Sequence, residues 1–312
     1  MHEVQVLEKV VDTSYLNTAV PSTLPTTYGV AAGMRCIPPN DLPRVKRPPQ
    51  GYVVVGAGKT GIDACLWLLE NQVSPEDICW VVPRDPWLQN RANMQPGEEF
   101  FERSFGAFAL QAEIAAGAET IEDLFVRLEA AGQLLRLDAS VTPTMYHGAI
   151  VSVTELEALR RITNVVRMGR IQRIEPTQIL LERGVVEASA DLLYVDCSAR
   201  GVERRPAIPI FAGQKITPQM VRALQPTFSG AFIAHVEASI DGEAKKNKLC
   251  TPIPMSDAPQ DWLSMMLMNL ANQDRWRHDS QVRDWIPHSR LDRFSALARD
   301  VTPADTDKIA LL

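Results

Sequence analysis

The 312-residue chain is 46% hydrophobic and 22% charged, an ordinary balance for a folded protein with room for two domains. A formal net charge of −6 argues against a general nucleic-acid or anionic-membrane surface. No apolar run reaches transmembrane length, and the opening "MHEVQVLEKV" lacks the basic and apolar regions of a signal peptide.

Residues 1–50 begin with a short strand-like stretch, Lys9 to Tyr15, and continue as the proline-rich "VPSTLPTTYGVAAGMRCIPPNDLPRVKRPPQG". That passage reads as an extended connector. Residues 51–67, "GYVVVGAGKTGIDACLW", carry the first motif. Its Gly58-Lys59-Thr60 invites a triphosphate-binding P-loop, but that loop needs a glycine at position 53, which is Val53. The spacing G-x-G-x-x-G fits fully at Gly56, Gly58 and Gly61. Tyr52–Val55 reads as a buried parallel strand, and Ile62, Cys65, Leu66 and Leu69 recur along one helix face. A dinucleotide diphosphate is therefore expected at Gly56, Ala57, Gly58, Lys59, Thr60 and Gly61, on the helix N-terminus. Lys59 reads equally as a solvated residue at a helix start.

The next strand, Ile78 to Val82, stops at Pro83 and is followed by Arg84 and Asp85. A guanidinium here suits the 2′-phosphate of NADP, while Asp85 keeps NAD open through a ribose hydroxyl.

Residues 98–137 pattern as two helices, and "SVTELEALRRI" as a third. From residue 165 the pattern changes to strands with turns near Glu175-Pro176 and Arg183-Gly184. His235 and Glu237 alternate on the expected strand "GAFIAHVEA", as a candidate proton-transfer pair or as a solvated face. In "WLSMMLMNLA" the helical spacing of Leu263, Met266, Leu267 and Leu270 predicts a face packed into a core, with a methionine-lined partner groove as the alternative. A further helix is expected at 290–299. Five cysteines and five histidines show no zinc or C-x-x-C spacing, so reduced thiols of a cytoplasmic protein and no metal are expected. The letters V-D-[TC]-S occur at 11–14 and again at 195–198, which suggests two neighbouring strands framing an inserted domain.

The order strand, G-x-G-x-x-G, helix, strand ending in "VVPRDPW", later "ADLLYVDCSARG", resembles the NADP-binding half of two-dinucleotide-binding flavoproteins of the flavin monooxygenase type. The resemblance implies an α/β fold: a Rossmann-like NAD(P)-binding domain inserted in an incomplete FAD/NAD(P)-binding three-layer domain. It divides the chain at 1–50 (remnant of a first domain and connector), 51–165 (nucleotide-binding domain with a helical insertion) and 166–312 (return crossover and remainder of the first domain). It implies an NAD(P)H- and FAD-dependent oxidoreductase passing hydride to a flavin, with Ser198 and Ala199 on the return strand beside the cofactor. The chain departs from the pattern by lacking an upstream glycine fingerprint; Gly29 and Gly33 precede no matching helix. Asp196-Cys197-Ser198-Ala199 stands where Ala-Thr-Gly is usual. FAD is thus expected only if a missing N-terminal half is supplied, and the uncovered apolar surface is expected to drive association or homo-oligomer formation. Alternative readings are a nucleotide-binding module without turnover and a flavin-free NADP-dependent dehydrogenase.

Overall fold

The computed structural model describes residues 5–199, 201–292, 294, 297–298 and 301–302. In chain order the first elements are β1 (Val10–Val11), β2 (Gly29–Val30), β3 (Arg35–Ile37), β4 (Gly51–Val55), α1 (Lys59–Glu70), β5 (Ile78–Val81) and β6 (Leu88–Asn90). There follow α2 (Phe101–Gly117), α3 (Ile121–Ala130), β7 (Leu134–Leu135), β8 (Ile150–Val151), α4 (Val153–Leu159) and β9 (Val165–Val166). A run of strands comes next: β10 (Ile171–Ile174), β11 (Gln178–Leu181), β12 (Gly184–Glu187), β13 (Leu192–Asp196), β14 (Phe211–Ala212) and β15 (Lys215–Ile216). The chain continues with α5 (Pro226–Ser239), α6 (Glu243–Leu249), α7 (Pro259–His278) and α8 (Ser280–Trp285). The protein is mixed α/β, with several sheets that contain parallel pairs. The helix expected at 290–299 falls mainly outside the described residues.

Two compact units form. One comprises Ala19–Arg91 and Leu128–Gly201, the other Met1–Thr18, Ala92–Arg127 and Val202–Leu312. The first is organised by a five-stranded parallel sheet in the order β3-β13-β4-β5-β9. The β-branched run of β4 explains its central place, because alternate side chains enter different cores. Val54 joins Ile62, Cys65, Leu68, Trp80 and Leu159 on the helical side. Val53 and Val55 join Ile174, Ile179, Leu181 and Tyr194 beneath the antiparallel strands β10–β12. Each of these valines is at most 2% exposed, a burial that stabilises by about 2 kcal/mol per side chain. The helix α4 starts at a capping box: the Ser152 hydroxyl accepts the Glu155 amide at 3.0 Å, and the Glu155 carboxylate accepts the Ser152 amide.

The second unit is built around aromatic residues. Phe228, Phe232, Trp276 and Trp285 pack together between α5, α7 and α8, with Ile210, Val221, Val236 and Leu249 around them. Asn272, fully buried, donates to the Val221 and Thr251 carbonyls at 2.8 Å each. A buried ion pair joins Arg222 to Asp292.

Two expectations fail here for identifiable reasons. On α7 the inward residues are Trp262, Met265, Asn272 and Trp276. Leu267 and Leu270 are 58% and 56% exposed. Two indoles bury more surface than the leucine stripe, and Trp276 adds a hydrogen bond to the Leu249 carbonyl at 2.8 Å, so they set the helix orientation. The strands that carry the repeated V-D-x-S letters do not pair with each other either. β1 pairs in parallel with β15, whereas β13 lies between β3 and β4. The unit boundaries also differ from 50 and 165, because β2 and β3 join the parallel-sheet unit while residues 92–127 belong to the other.

Candidate functional site

The turn between β4 and α1 is shaped by backbone crowding at two of its glycines and by open space at the third. Gly56 has φ +117°, a region that L side chains avoid, and a Cβ there would lie 2.6 Å from the Cys197 carbonyl oxygen. A Cβ on Gly61 would lie 2.1 Å from the Gly56 carbonyl oxygen, so the first turn of α1 rests directly on the strand end. That same carbonyl accepts the buried Trp80 indole N–H at 2.8 Å, and the Gly56 amide donates to the Val81 carbonyl at 2.9 Å. A Cβ on Gly58, by contrast, meets nothing within 4 Å. Gly58 is the N-cap of α1 and supplies no side-chain cap, and the first turn holds no acidic residue. The amides of Lys59, Thr60 and Gly61 precede the first i−4 carbonyl of the helix, so they face outward as donors at the positive end of its dipole.

The position of this turn is set by the sheet. β4 leads through α1 to β5 on one side, while β13 flanks β4 on the other. The carboxyl ends of β4 and β13 therefore lie where the strand order reverses, the general place for ligands in open α/β sheets. Lys59 is ion-paired with Asp63 one turn along α1, and Thr60 is exposed.

Past β5, Arg84 is half-buried and donates to the Thr144 carbonyl. Asp85 is 7% exposed. Both of its carboxylate oxygens accept from Arg167, at 3.0 to 3.2 Å, while its carbonyl takes the Thr144 and Met145 amides. Asp85 thus anchors the segment after β5 rather than presenting a carboxylate outward. Its partner, Arg167, follows β9 at the same end of the sheet, a pairing 82 residues apart that local pattern does not reveal.

On the other flank, the Ser198 amide and hydroxyl both donate to Asp196 Oδ1, at 3.1 and 2.6 Å. Ala199 follows, half-buried. The Cys197 thiol is pushed up to about 12 by burial and then by Asp196, which disfavours its thiolate. The Tyr28 hydroxyl lies beside Cys36 Sγ at 3.8 Å, and burial, then Cys36 and Asp196, raise it far above the ordinary range. Trp80 and Tyr28 belong to no motif in the sequence. Only the indole inside an otherwise aliphatic strand hinted at a specific partner.

His235 and Glu237 lie on α5, a helix and not a strand. Pro226 at its first turn, and Phe228, Phe232 and Val236 at four-residue spacing against the aromatic core, decide this. Two positions apart on a helix, the two side chains point to different sides. His235 stacks on Trp285 with centroids 4.6 Å apart. Glu237 bridges Lys9 and Lys246, each at 2.7 Å. Burial raises its carboxyl, but the hydrogen bonds from those lysines outweigh this and lower it. They do not form a proton-transfer pair. No cluster of His, Cys, Asp or Glu that could hold a metal occurs among the described residues.

No protein-family model matches the chain. It is similar to uncharacterized proteins of Mycobacterium tuberculosis and Mycobacterium bovis, 48% identical over 294 residues, or 94% of this chain. That span is 55% of each relative, so the chain covers about half the length of the curated relatives it matches.

Proposed function

We propose that this chain binds NADP at the glycine turn and is the NADP-binding portion of a flavin-dependent oxidoreductase. The observation that carries the reading is the division of labour at the turn: Gly56 and Gly61 are demanded by backbone contact, whereas Gly58 faces open space beside uncapped amides. A diphosphate fits that arrangement, with the amides of Gly58 to Gly61 as donors and the α1 dipole favouring its charge. The order of β9, β5, β4 and β13, with the strands β10–β12 covering one face, supports a Rossmann-like domain. Arg84 is assigned to the 2′-phosphate, and Ser198 and Ala199, at the end of β13, to the other flank of the turn. Asp85 is engaged by Arg167, which favours NADP over NAD.

When bound, NADPH supplies a hydride, which a flavin accepts where a flavin-binding part is present. The residues of this chain do not fit FAD. Among the described residues there is no second strand–glycine turn–helix unit: Gly29 lies in β2, and β3, beyond Gly33, is followed only by a 3₁₀ turn at Pro39–Arg44. No step is assigned to this chain at a flavin.

Titration with NADPH and NADH by calorimetry tests the proposal. Arg84→Ala should weaken NADPH by roughly 10- to 100-fold, as expected for loss of a charge-assisted contact of about 1.5–3 kcal/mol, and leave NADH nearly unchanged. Equal losses for both cofactors would remove the 2′-phosphate assignment.

A further inference from the structure

We infer that the outer edge of β1 is a docking site for a strand of the polypeptide that the longer relatives carry beyond the shared residues. This inference does not depend on nucleotide binding. β1 is the end strand of a small sheet, ordered β1-β15-β14, and its pairing with β15 is parallel. The Val10 amide donates to the Gln214 carbonyl and the Asp12 amide to the Ile216 carbonyl, each at 2.8 Å. Alternation along a strand therefore turns the Val11 amide and carbonyl toward the open edge. Val10 and Val11 point to opposite faces, yet they are 45% and 56% exposed, so neither face of this strand is well covered. Leu7, just before the strand, is 87% exposed. A parallel pair with bare apolar faces is unusual, because parallel sheets are normally covered on both sides.

The strand is nonetheless held in place. Lys9 pairs with Glu237 of α5 at 2.7 Å, and Asp12 with Lys215 of β15 at 2.7 Å. An open groove of about 730 Å³ runs along it, lined by Val10, Val11, Asp12, Ala212, Gln214 and Lys215. A fixed, bare, parallel edge is a template for strand addition, with main-chain hydrogen bonds giving affinity and apolar side chains filling the faces. The occupant must supply cover for both faces as well as a strand, which calls for a folded polypeptide rather than a short peptide. The shared residues are only 55% of each relative, so those proteins carry additional chain, long enough to form such a polypeptide.

The test is co-expression of this full chain with the part of the Mycobacterium tuberculosis relative outside the shared residues, followed by sedimentation of the purified material. A 1:1 complex is expected. Val11→Pro removes the outward-facing amide donor while the Val10 and Asp12 amides keep their bonds to β15, and it should weaken the complex at least tenfold with little change in melting temperature; Val11→Ile, which keeps both the amide and the apolar cover, should bind as the wild type. Hydrogen exchange gives a second reading that needs no variant: the Val11 amide should exchange freely in the isolated chain and become protected in the complex. Recovery of both polypeptides uncomplexed would overturn the inference. So would a complex indifferent to Val11→Pro, a protected Val11 amide in the dilute isolated chain, or self-association through this edge.

Discussion

Two parallel strands made of valines behave differently in this molecule. In β4, Val53, Val54 and Val55 are almost completely buried, between a helix layer on one face and β10–β12 on the other. In β1, Val10 and Val11 remain about half exposed although their pairing is also parallel. Residue type and strand direction are alike, so what separates them is the layers that cover each face. Hydrophobic letters report that a segment prefers cover; they do not report whether this chain supplies it.

Substitutions can sharpen that contrast. The largest effect is expected where backbone meets backbone under β4. Gly61→Ala places a methyl group against the Gly56 carbonyl, a contact that no side-chain rotation relieves. It should cost about 3 kcal/mol in chemical unfolding. A loss below about 1 kcal/mol would mean that α1 is free to lift off the strand end. Next comes one substitution made twice. Val54→Ala should destabilise by about 2 kcal/mol, from two lost methyl groups and the space they leave. Val11→Ala should change stability by no more than about 0.5 kcal/mol in the isolated chain. Similar losses at both would show that β1 is covered.

The smallest effect concerns the anchoring of β1. Hydrogen bonds from Lys215 and then Ser14 lower the Asp12 carboxyl from its ordinary 3.8 to about 2. Because the folded value is the lower one, the contribution is complete above about pH 4 and is lost as pH falls toward 2. Asp12→Asn should therefore be less stable than the wild type at pH 6, and the difference should shrink steadily as the pH falls through 2. A difference independent of pH would assign the effect to packing instead.

The segment from β4 to β5 was legible in the sequence because every local signal agreed: a β-branched run, three glycines at fixed spacing, then apolar residues at helical intervals. The partners of that segment were not. Arg167 reaches Asp85 from 82 residues away, and the Cys197 carbonyl explains Gly56 only once β13 lies beside β4. At α5 the letters Ile233 to Val236 suit a strand as well as a helix, and the choice was made by Phe228, Phe232 and Trp276 meeting in one core. At α7 the period was right but the buried face was not, because the spacing of four apolar residues says nothing about two tryptophans on the other side.

Gly58 is the one glycine of the turn that the fold itself does not require. Calorimetric titration of NADPH into the wild type and into Gly58→Val, alongside their melting temperatures, tests its diphosphate assignment most directly. The wild type should bind stoichiometrically, and Gly58→Val should melt within a few degrees of it and give no binding heat. Normal NADPH binding by Gly58→Val would contradict the assignment of the turn as a diphosphate cradle.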